Sequence, residues 1–290
     1  MRRWLTVGLL FLAVGGGLHG QTPEAFKASD SNVPTFDVAS IQVNKSGDPQ
    51  VIRRQPGGRI TVTNIPARQL ILLAYQLQPF QLIDGPSWIG SDGFDMVAKL
   101  DREPPPTLPD GQDSIMLAMR TLLADRFKLM VHREQREMDI YALVLAKPAS
   151  GPGAGLKPST TDCLALAAAR RKGGPSGPPP PGTPFCGQTG MPGQIRVGGT
   201  PLSQVTMMLG GMTGRLVVDR TGLTGNWDFT LTFQGEMRGQ PPPGVDLPAA
   251  DPTLPSLFTA LQEQLGLKLE STKGPVDVLV IDHVEKPTAD

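Results

Sequence analysis

The stretch GGRITVTNIPARQLILLAYQL, residues 57–77, returns in altered form as PGQIRVGGTPLSQVTMMLGGM, residues 192–212. The matched positions, at an offset of 135 without a gap, are Gly58, Ile60, Val62, Pro66, Gln69 and Leu73 against Gly193, Ile195, Val197, Pro201, Gln204 and Met208. Each version predicts a short strand of alternating apolar residues and then a helix that begins near its proline. We interpret the two stretches as copies of one structural unit.

Two further blocks return in the same order. PSWIGSDGFDMVAKL, from Pro86, matches TGLTGNWDFTLTF, from Thr221, so that Asp95 corresponds to Asp228. Residues 114–147 and 255–286 form a looser third pair, and each predicts an amphipathic helix, a strand, a polar turn and a closing strand. Three blocks in one order at nearly one offset predict an internal duplication.

The blocks together predict an α+β fold. It consists of two tandem copies of a strand-helix-strand-helix-hairpin module, with a mostly antiparallel sheet and helices on one face. Copy one spans residues 34–147 and copy two spans residues 193–287. The sequence leaves open whether the copies form two lobes or one pseudo-symmetric sheet. FDVASIQV, residues 36–43, has no clear counterpart in copy two, which leaves open that this strand crosses between the copies.

Residues 1–20 predict a secretory signal peptide. Arg2 and Arg3 precede the apolar run WLTVGLLFLAV, and small residues follow it. The apolar run is shorter than the roughly 20 residues that span a bilayer, which favours cleavage over an uncleaved anchor. No later segment is long and apolar enough to span a membrane. We therefore expect an exported protein, periplasmic or extracellular.

The charge balance argues against a nucleic-acid partner. The chain has 27 basic and 27 acidic residues, and removal of Arg2 and Arg3 leaves a slight acidic excess. Such a balance provides no long-range attraction for nucleic acid or anionic lipid.

Residues 148–192 are predicted to form a Pro/Gly-rich insert between the copies. Its segment GGPSGPPPPGTP suits neither a helix nor the interior of a sheet. Cys163 and Cys186 are the only cysteines, and a disulfide between them is the simplest interpretation for an exported chain. The closed loop of about 24 residues is worth roughly 3 kcal/mol by chain entropy. A metal-binding or catalytic thiol is the alternative, but it lacks nearby histidines.

Few residues have the spacing of a known catalytic motif. His132 and His283 lack a second histidine at helical spacing, so we interpret both as strand residues rather than metal ligands. Ser87 lies in GPSWIG, which is not the G-x-S-x-G of a nucleophile elbow, and we interpret it as part of a turn. No phosphate-binding loop or other cofactor motif is found, so no cofactor is predicted.

Asp95 and Asp228 are the candidate catalytic residues because they recur in both copies. Two carboxylates brought together by pseudo-symmetry would suit acid–base chemistry or a cation. The alternative is that each aspartate hydrogen-bonds the turn before its own strand. Asp84 and Asp219, shortly before those turns, are open to the same two interpretations.

Four segments carry a family resemblance: FDVASIQVNK, LLADRFKLMVHREQREMDIYALVLAK, VVDRTGLTGNWDFTLTF and ALQEQLGLKLESTKGPVDVLVIDHVEKPT. Together they resemble the soil-associated protein family expanded in acidobacteria, over about residues 34–287. The resemblance implies an exported protein with a domain of unknown function. Similar domains also occur fused to membrane metallopeptidase sensors related to beta-lactam-responsive receptors. Neither the membrane helices nor the peptidase motif is found in this sequence, so no catalytic residue carries over.

The sequence therefore predicts an exported, non-enzymatic binding or protein-interaction module of the cell envelope. Its expected partner is an unknown envelope protein or cell-wall ligand, and the mature chain is not expected to span a membrane. The alternative is a cell-wall or polysaccharide hydrolase that uses Asp95 and Asp228 as paired carboxylates.

Overall fold

The computed structural model describes residues 34–101, 113–171, 183–191, 193–235 and 253–288. The strands are β1 (Phe36–Val43), β2 (Val51–Gln55), β3 (Arg59–Pro66), β4 (Leu82–Ile83), β5 (Gly93–Leu100), β6 (Met130–Leu145), β7 (Lys157–Pro158), β8 (Gly187–Met191), β9 (Gln194–Pro201), β10 (Val217–Asp219), β11 (Asn226–Thr232) and β12 (Leu267–His283). The helices are α1 (Ala67–Tyr75), α2 (Trp88–Ser91), α3 (Ser114–Arg126), α4 (Cys163–Arg171), α5 (Leu202–Thr213) and α6 (Leu257–Leu265). The predicted signal peptide and most of GGPSGPPPPGTP lie outside these residues.

The strands form three four-stranded sheets. The first-half sheet has the order β1-β5-β3-β2, the central sheet β10-β6-β12-β4, and the second-half sheet β7-β11-β9-β8. Pairing is antiparallel except for two short parallel contacts, β4 with β12 and β10 with β6. The mostly antiparallel α+β class predicted from the sequence is confirmed.

The first-half sheet packs one face against α1 and α3. Alternate residues of β3 and β5, among them Ile60, Met96 and Phe94, are buried in this core. The helix α1 begins directly after the extended Pro66, as the proline position predicted. The Asp113 carboxylate accepts hydrogen bonds from the first backbone N–H groups of α3, which fixes where that helix begins.

The second-half sheet is built in the corresponding way with α5 and α6. Ile195 pairs with Leu231 in this sheet as Ile60 pairs with Ala98 in the first. The core again consists of the alternate residues that face the helices. This correspondence agrees with an internal duplication, which stays a prediction.

The predicted closing hairpins are wrong. Each is a single continuous strand: β6 has 16 residues and β12 has 17. These strands pair with each other from Leu267–Leu145 to His283–Met130, with one shift of register near the end. The run HREQRE, residues 132–137, lacks apolar residues, which is typical of a turn. It continues as a strand because β12 satisfies its backbone groups.

The two halves share the central sheet. The short strand β4 of the first half flanks β12 of the second, and β10 of the second half flanks β6 of the first. A separate apolar cluster lies here, formed by Ile140, Val276, Val278 and Val280 with Phe80, Ile83, Met138, Leu216 and Val218. FDVASIQV, as β1, pairs with β5 of its own half and does not cross.

Candidate functional site

Asp95 stabilises a distorted point in the neighbouring strand β3. Its carboxylate accepts a hydrogen bond from the backbone N–H of Asn64 at 3.0 Å and from Asn44 Nδ2 at 2.9 Å. Asn64 has a left-handed conformation with φ of 53°, and the pairing register shifts there. Asparagine tolerates this conformation better than most residues. The aspartate therefore holds a β-bulge.

Asp228 does the same in the second-half sheet. Its Oδ1 accepts a hydrogen bond from the backbone N–H of Gly199 at 2.7 Å, and Gly199 has φ of 56°. The pairing register again shifts at this point. The two candidate aspartates thus lie in different sheets, and within the described residues no hydrogen bond joins them. Each one binds a bulge on the adjacent strand rather than the turn before its own.

Asp84 and Asp219 also have local partners. Asp219 Oδ1 accepts hydrogen bonds from the backbone N–H and the hydroxyl of Thr221, at 2.9 and 2.8 Å. Asp84 has φ of 64° and lies 3.6 Å from Arg136 Nη2. Asp219 thus orders its turn, and Asp84 makes a long ion pair at the end of β4.

The two bulges differ in side-chain size, and the smaller residues of the second bulge leave room for the insert to pack against it. Thr63 and Asn64 of the first half correspond to Gly198 and Gly199 of the second. A Cβ at Gly198 would overlap the Phe185 carbonyl oxygen, and a Cβ at Gly199 would overlap Cys163 Sγ. The glycines therefore allow the insert to lie directly on the outer face of the second-half sheet.

The predicted disulfide is formed and lies on this face. Cys163 and Cys186 are joined, with their Cα atoms 5.6 Å apart. Cys163 opens α4, whose first backbone N–H groups donate to the Asp162 carboxylate at 2.9 and 3.0 Å. The bond joins residues on either side of the Pro/Gly-rich segment, and both sulfur atoms lie beside Gly199 of the sheet.

A groove of about 650 Å³ lies between the insert and the outer face of the second-half sheet. We call it the insert groove. Its floor is formed by Arg196, Gly198, Asp228 and Thr230, and its walls by Ala154, Gly155, Lys157, Thr160, Thr161 and residues 183–185. On the first-half sheet, Val97 corresponds to Thr230 and is 43% exposed. Thr230 lines the insert groove, whereas Val97 does not.

Three charged side chains line the insert groove. The Arg196 guanidinium stacks 4.4 Å from the centre of the Phe185 ring and donates to the Thr183 carbonyl at 2.6 Å. Lys157 is exposed, and it lies opposite Asp228 in the backbone pairing of β7 with β11. In the described part of the chain, Lys157 makes no ion pair and the second Asp228 oxygen accepts no hydrogen bond. Both groups are available to a ligand.

A second polar cluster, which the sequence analysis missed, lies on the central sheet. His132 Nδ1 is 2.8 Å from Asp282 Oδ1, and His132 Nε2 is 3.6 Å from Glu134. The hydrogen bond to Asp282 raises the pKa of His132, and burial opposes this effect. Arg136 hydrogen-bonds Glu134 and lowers the pKa of that carboxyl.

The cluster joins residues that are distant in sequence. His132 and Asp282 are 150 positions apart and meet because β6 pairs with β12. The alternation of His132, Glu134 and Arg136 on one strand face was the available signal. The mistaken hairpin concealed it by dividing that strand.

Neither a metal site nor a membrane span is found in the described residues. No group of three or more His, Cys, Asp or Glu side chains there is arranged to hold a metal ion. None of the described helices has the length and apolar character needed to cross a membrane.

Comparison with known proteins gives one family match. A family model described as a protein of unknown function (DUF3738) matches residues 68–284. The matched region begins in α1 and ends just after β12, so it includes the insert and the second half but leaves out β1, β2 and β3 of the first half. Neither a curated protein nor a solved structure matches the chain.

Proposed function

We propose that this protein, which belongs to the DUF3738 family of unknown function, is an exported, non-enzymatic binding protein whose ligand site is the insert groove. The observation that carries the proposal is the difference between the halves. Two sheets of corresponding construction carry corresponding aspartates, but the insert forms a polar groove on the second. Ligand sites are typically concave and are often built from loops on a rigid scaffold.

The roles of the two aspartates support binding rather than hydrolysis. Asp95 and Asp228 both hold a left-handed residue of an adjacent strand. In a paired-carboxylate hydrolase, both carboxylates must lie within hydrogen-bonding distance of the same substrate or its attacking water. Their separate placement in two sheets gives no support to the paired-carboxylate hydrolase, which was the alternative from the sequence.

Export is supported by the predicted signal peptide of residues 1–20 and by the disulfide. Disulfides persist in oxidising compartments such as the periplasm. We propose an envelope protein or a cell-wall component as the partner. We also propose that the halves, residues 34–147 and 193–287, arose by duplication, and that the insert of residues 148–192 provided the binding site.

The test is saturable retention of envelope material by the tagged mature protein, compared between two matched variants. Thr230→Trp places a large side chain on the groove floor, and Val97→Trp places the same side chain at the corresponding point of the first-half sheet. We expect Thr230→Trp to abolish retention and Val97→Trp to leave it unchanged. Equal retention by the wild type and both variants would exclude the insert groove as the ligand site.

The disulfide provides a second test of the same site. Replacing Cys163 and Cys186 by serine removes the covalent bond between the two parts of the insert that flank its Pro/Gly-rich segment. We expect the variant to lose retention of the ligand while the far-ultraviolet circular dichroism of the rest of the chain is kept. Retention at the wild-type level would mean that the insert does not need to be closed to bind.

A further inference from the structure

We infer that the insert groove binds an α-amino acid or short peptide that carries both a free ammonium group and a free carboxylate. The inference rests on the proposed function and names its ligand class. It comes from the placement of opposite charges along the groove, and it assigns the ligand carboxylate to Lys157 and the ligand ammonium to Asp228.

Lys157 and Asp228 carry opposite charges but do not pair with each other. Lys157 and Asp228 are direct partners across an antiparallel ladder, where Cβ atoms lie about 4.5–5.5 Å apart. Both line the insert groove, yet they form no ion pair among the described residues. A ligand whose carboxylate faces Lys157 and whose ammonium faces Asp228 bridges them and forms two charge-assisted hydrogen bonds. Because the Lys157 side chain is long and flexible, the distance from its ammonium to the Asp228 carboxylate is adjustable, so an α-amino acid or a dipeptide can bridge the two groups.

The second argument is preorganisation. One Asp228 oxygen is fixed by the Gly199 N–H at 2.7 Å, so the second oxygen has a defined position. The Arg196 guanidinium is likewise fixed by the Phe185 ring and the Thr183 carbonyl. A site whose groups are already held loses less conformational freedom on binding.

The third argument is the balance of charge and the polarity of the lining. Lys157 and Asp228 contribute one positive and one negative charge to the lining, which matches the two charges of a zwitterion. Thr160, Thr161 and Thr230 add hydroxyl groups that donate and accept hydrogen bonds. At about 650 Å³ the groove falls within the roughly 300–1,000 Å³ typical of small-molecule sites. The rest of the ligand is therefore expected to be small and polar.

The experiment is a titration of the full-length mature protein with alanyl-alanine, N-acetyl-alanyl-alanine and alanyl-alanine amide, followed by calorimetry. We expect the free dipeptide to bind saturably and each capped form to bind at least about tenfold more weakly, because each cap removes one charged group. Lys157→Met and Asp228→Asn should each weaken the free dipeptide by a similar factor. Asparagine retains an oxygen for the Gly199 N–H, so the bulge is kept. Lys99→Met, which removes an exposed lysine from the first-half sheet, is the control and should bind like the wild type.

The outcomes separate this inference from the proposed function. If the capped and free dipeptides bind equally, or if Thr230→Trp does not block the free dipeptide, the assignment of ligand charges is overturned. If no dipeptide binds while envelope material is still retained in a manner sensitive to Thr230→Trp, the ligand class is wrong and the groove remains a binding site. If Thr230→Trp changes neither the binding of the dipeptide nor the retention of envelope material, both proposals are overturned.

Discussion

Asp95 and Asp228 illustrate how a recurring carboxylate can have a structural role. In each sheet a left-handed residue, Asn64 or Gly199, points its backbone N–H at the aspartate of the adjacent strand. A buried N–H without an acceptor costs free energy. Each carboxylate therefore stabilises the bulge that precedes the following helix, because it accepts the N–H of the left-handed residue.

The role of Asp95 leads to a stability prediction. Asp95→Ala removes the acceptor of both the Asn64 N–H and Asn44 Nδ2. We expect the free energy of unfolding to fall by about 1–2 kcal/mol, because the partly buried Asn64 N–H loses its acceptor. Asp95→Asn is the matched control, since its amide oxygen can still accept from Asn64, and it should lose less. Urea denaturation measures both, and equal stability of Asp95→Ala and the wild type would contradict the role.

His132 leads to a prediction about pH. Its pKa in the folded protein is raised by the hydrogen bond to Asp282, with Glu134 as the second facing carboxylate, above an ordinary value of about 6.5. The protonated form is therefore favoured by folding. Its contribution to stability is fully present below about pH 6.5 and is lost as the pH rises through the folded pKa.

The measurement is the free energy of unfolding from about pH 5.5 to about pH 8.5, for the wild type and His132→Gln. We expect the advantage of the wild type to be greatest at low pH and to shrink as the pH rises. Asp282→Asn removes the main cause of the raised pKa and should flatten the difference. An advantage that grows with pH would show that the sign is wrong.

At the scale of the elements, the sequence predicted what is encoded locally. The strand and helix at 57–77 follow from alternation and a proline, and β3 and α1 lie there. The centres of the long strands β6 and β12 are polar, and a polar run is typical of a turn, so the sequence predicts two strands where the structure has one. Their continuity depends on pairing between residues as distant in sequence as Met130 and His283, which the local pattern does not contain.

The groove was missed for a related reason, although a signal was present. Gly198 and Gly199 replace Thr63 and Asn64 within an otherwise matched block. The missing side chains mark the place where another segment approaches the strand. The identity of that segment depends on the path of the insert, which composition alone does not specify.

Gly199 is the place to test the contact between the insert and the sheet. Gly199→Ala puts a Cβ on a residue with φ of 56° and against Cys163 Sγ. We expect a loss of about 1–3 kcal/mol in the free energy of unfolding from backbone strain and overlap, with reduced disulfide formation in a thiol titration. Gly190→Ala in β8 is the control, because its Cβ would meet nothing within 4 Å. Equal behaviour of the two variants would mean that the insert is not packed tightly at Gly199.

At the scale of the whole molecule, the halves are joined by exchanged strands. The long strand β6 lies between β10 and β12, and both of these belong to the second half. Likewise β12 lies between β4 and β6, both from the first half. Neither half can therefore complete the central sheet. The family match from residue 68 to residue 284 includes all four strands of the central sheet, to which both halves contribute.

This arrangement predicts that a fragment of residues 34–147 is not a folded monomer. Alone, it leaves both edges of the 16-residue β6 unpaired, and a long exposed edge promotes pairing with another chain. It also loses Val276, Val278 and Val280 from the apolar cluster on the central sheet. We expect an unfolded or self-associated fragment, and a folded complex when residues 34–147 and 148–290 are produced together. Light scattering after size exclusion gives the mass, and the dispersion of amide NMR signals reports folding. A monomeric first half with dispersed signals would show that each half folds by itself, and that strand exchange is a contact between domains that are already stable.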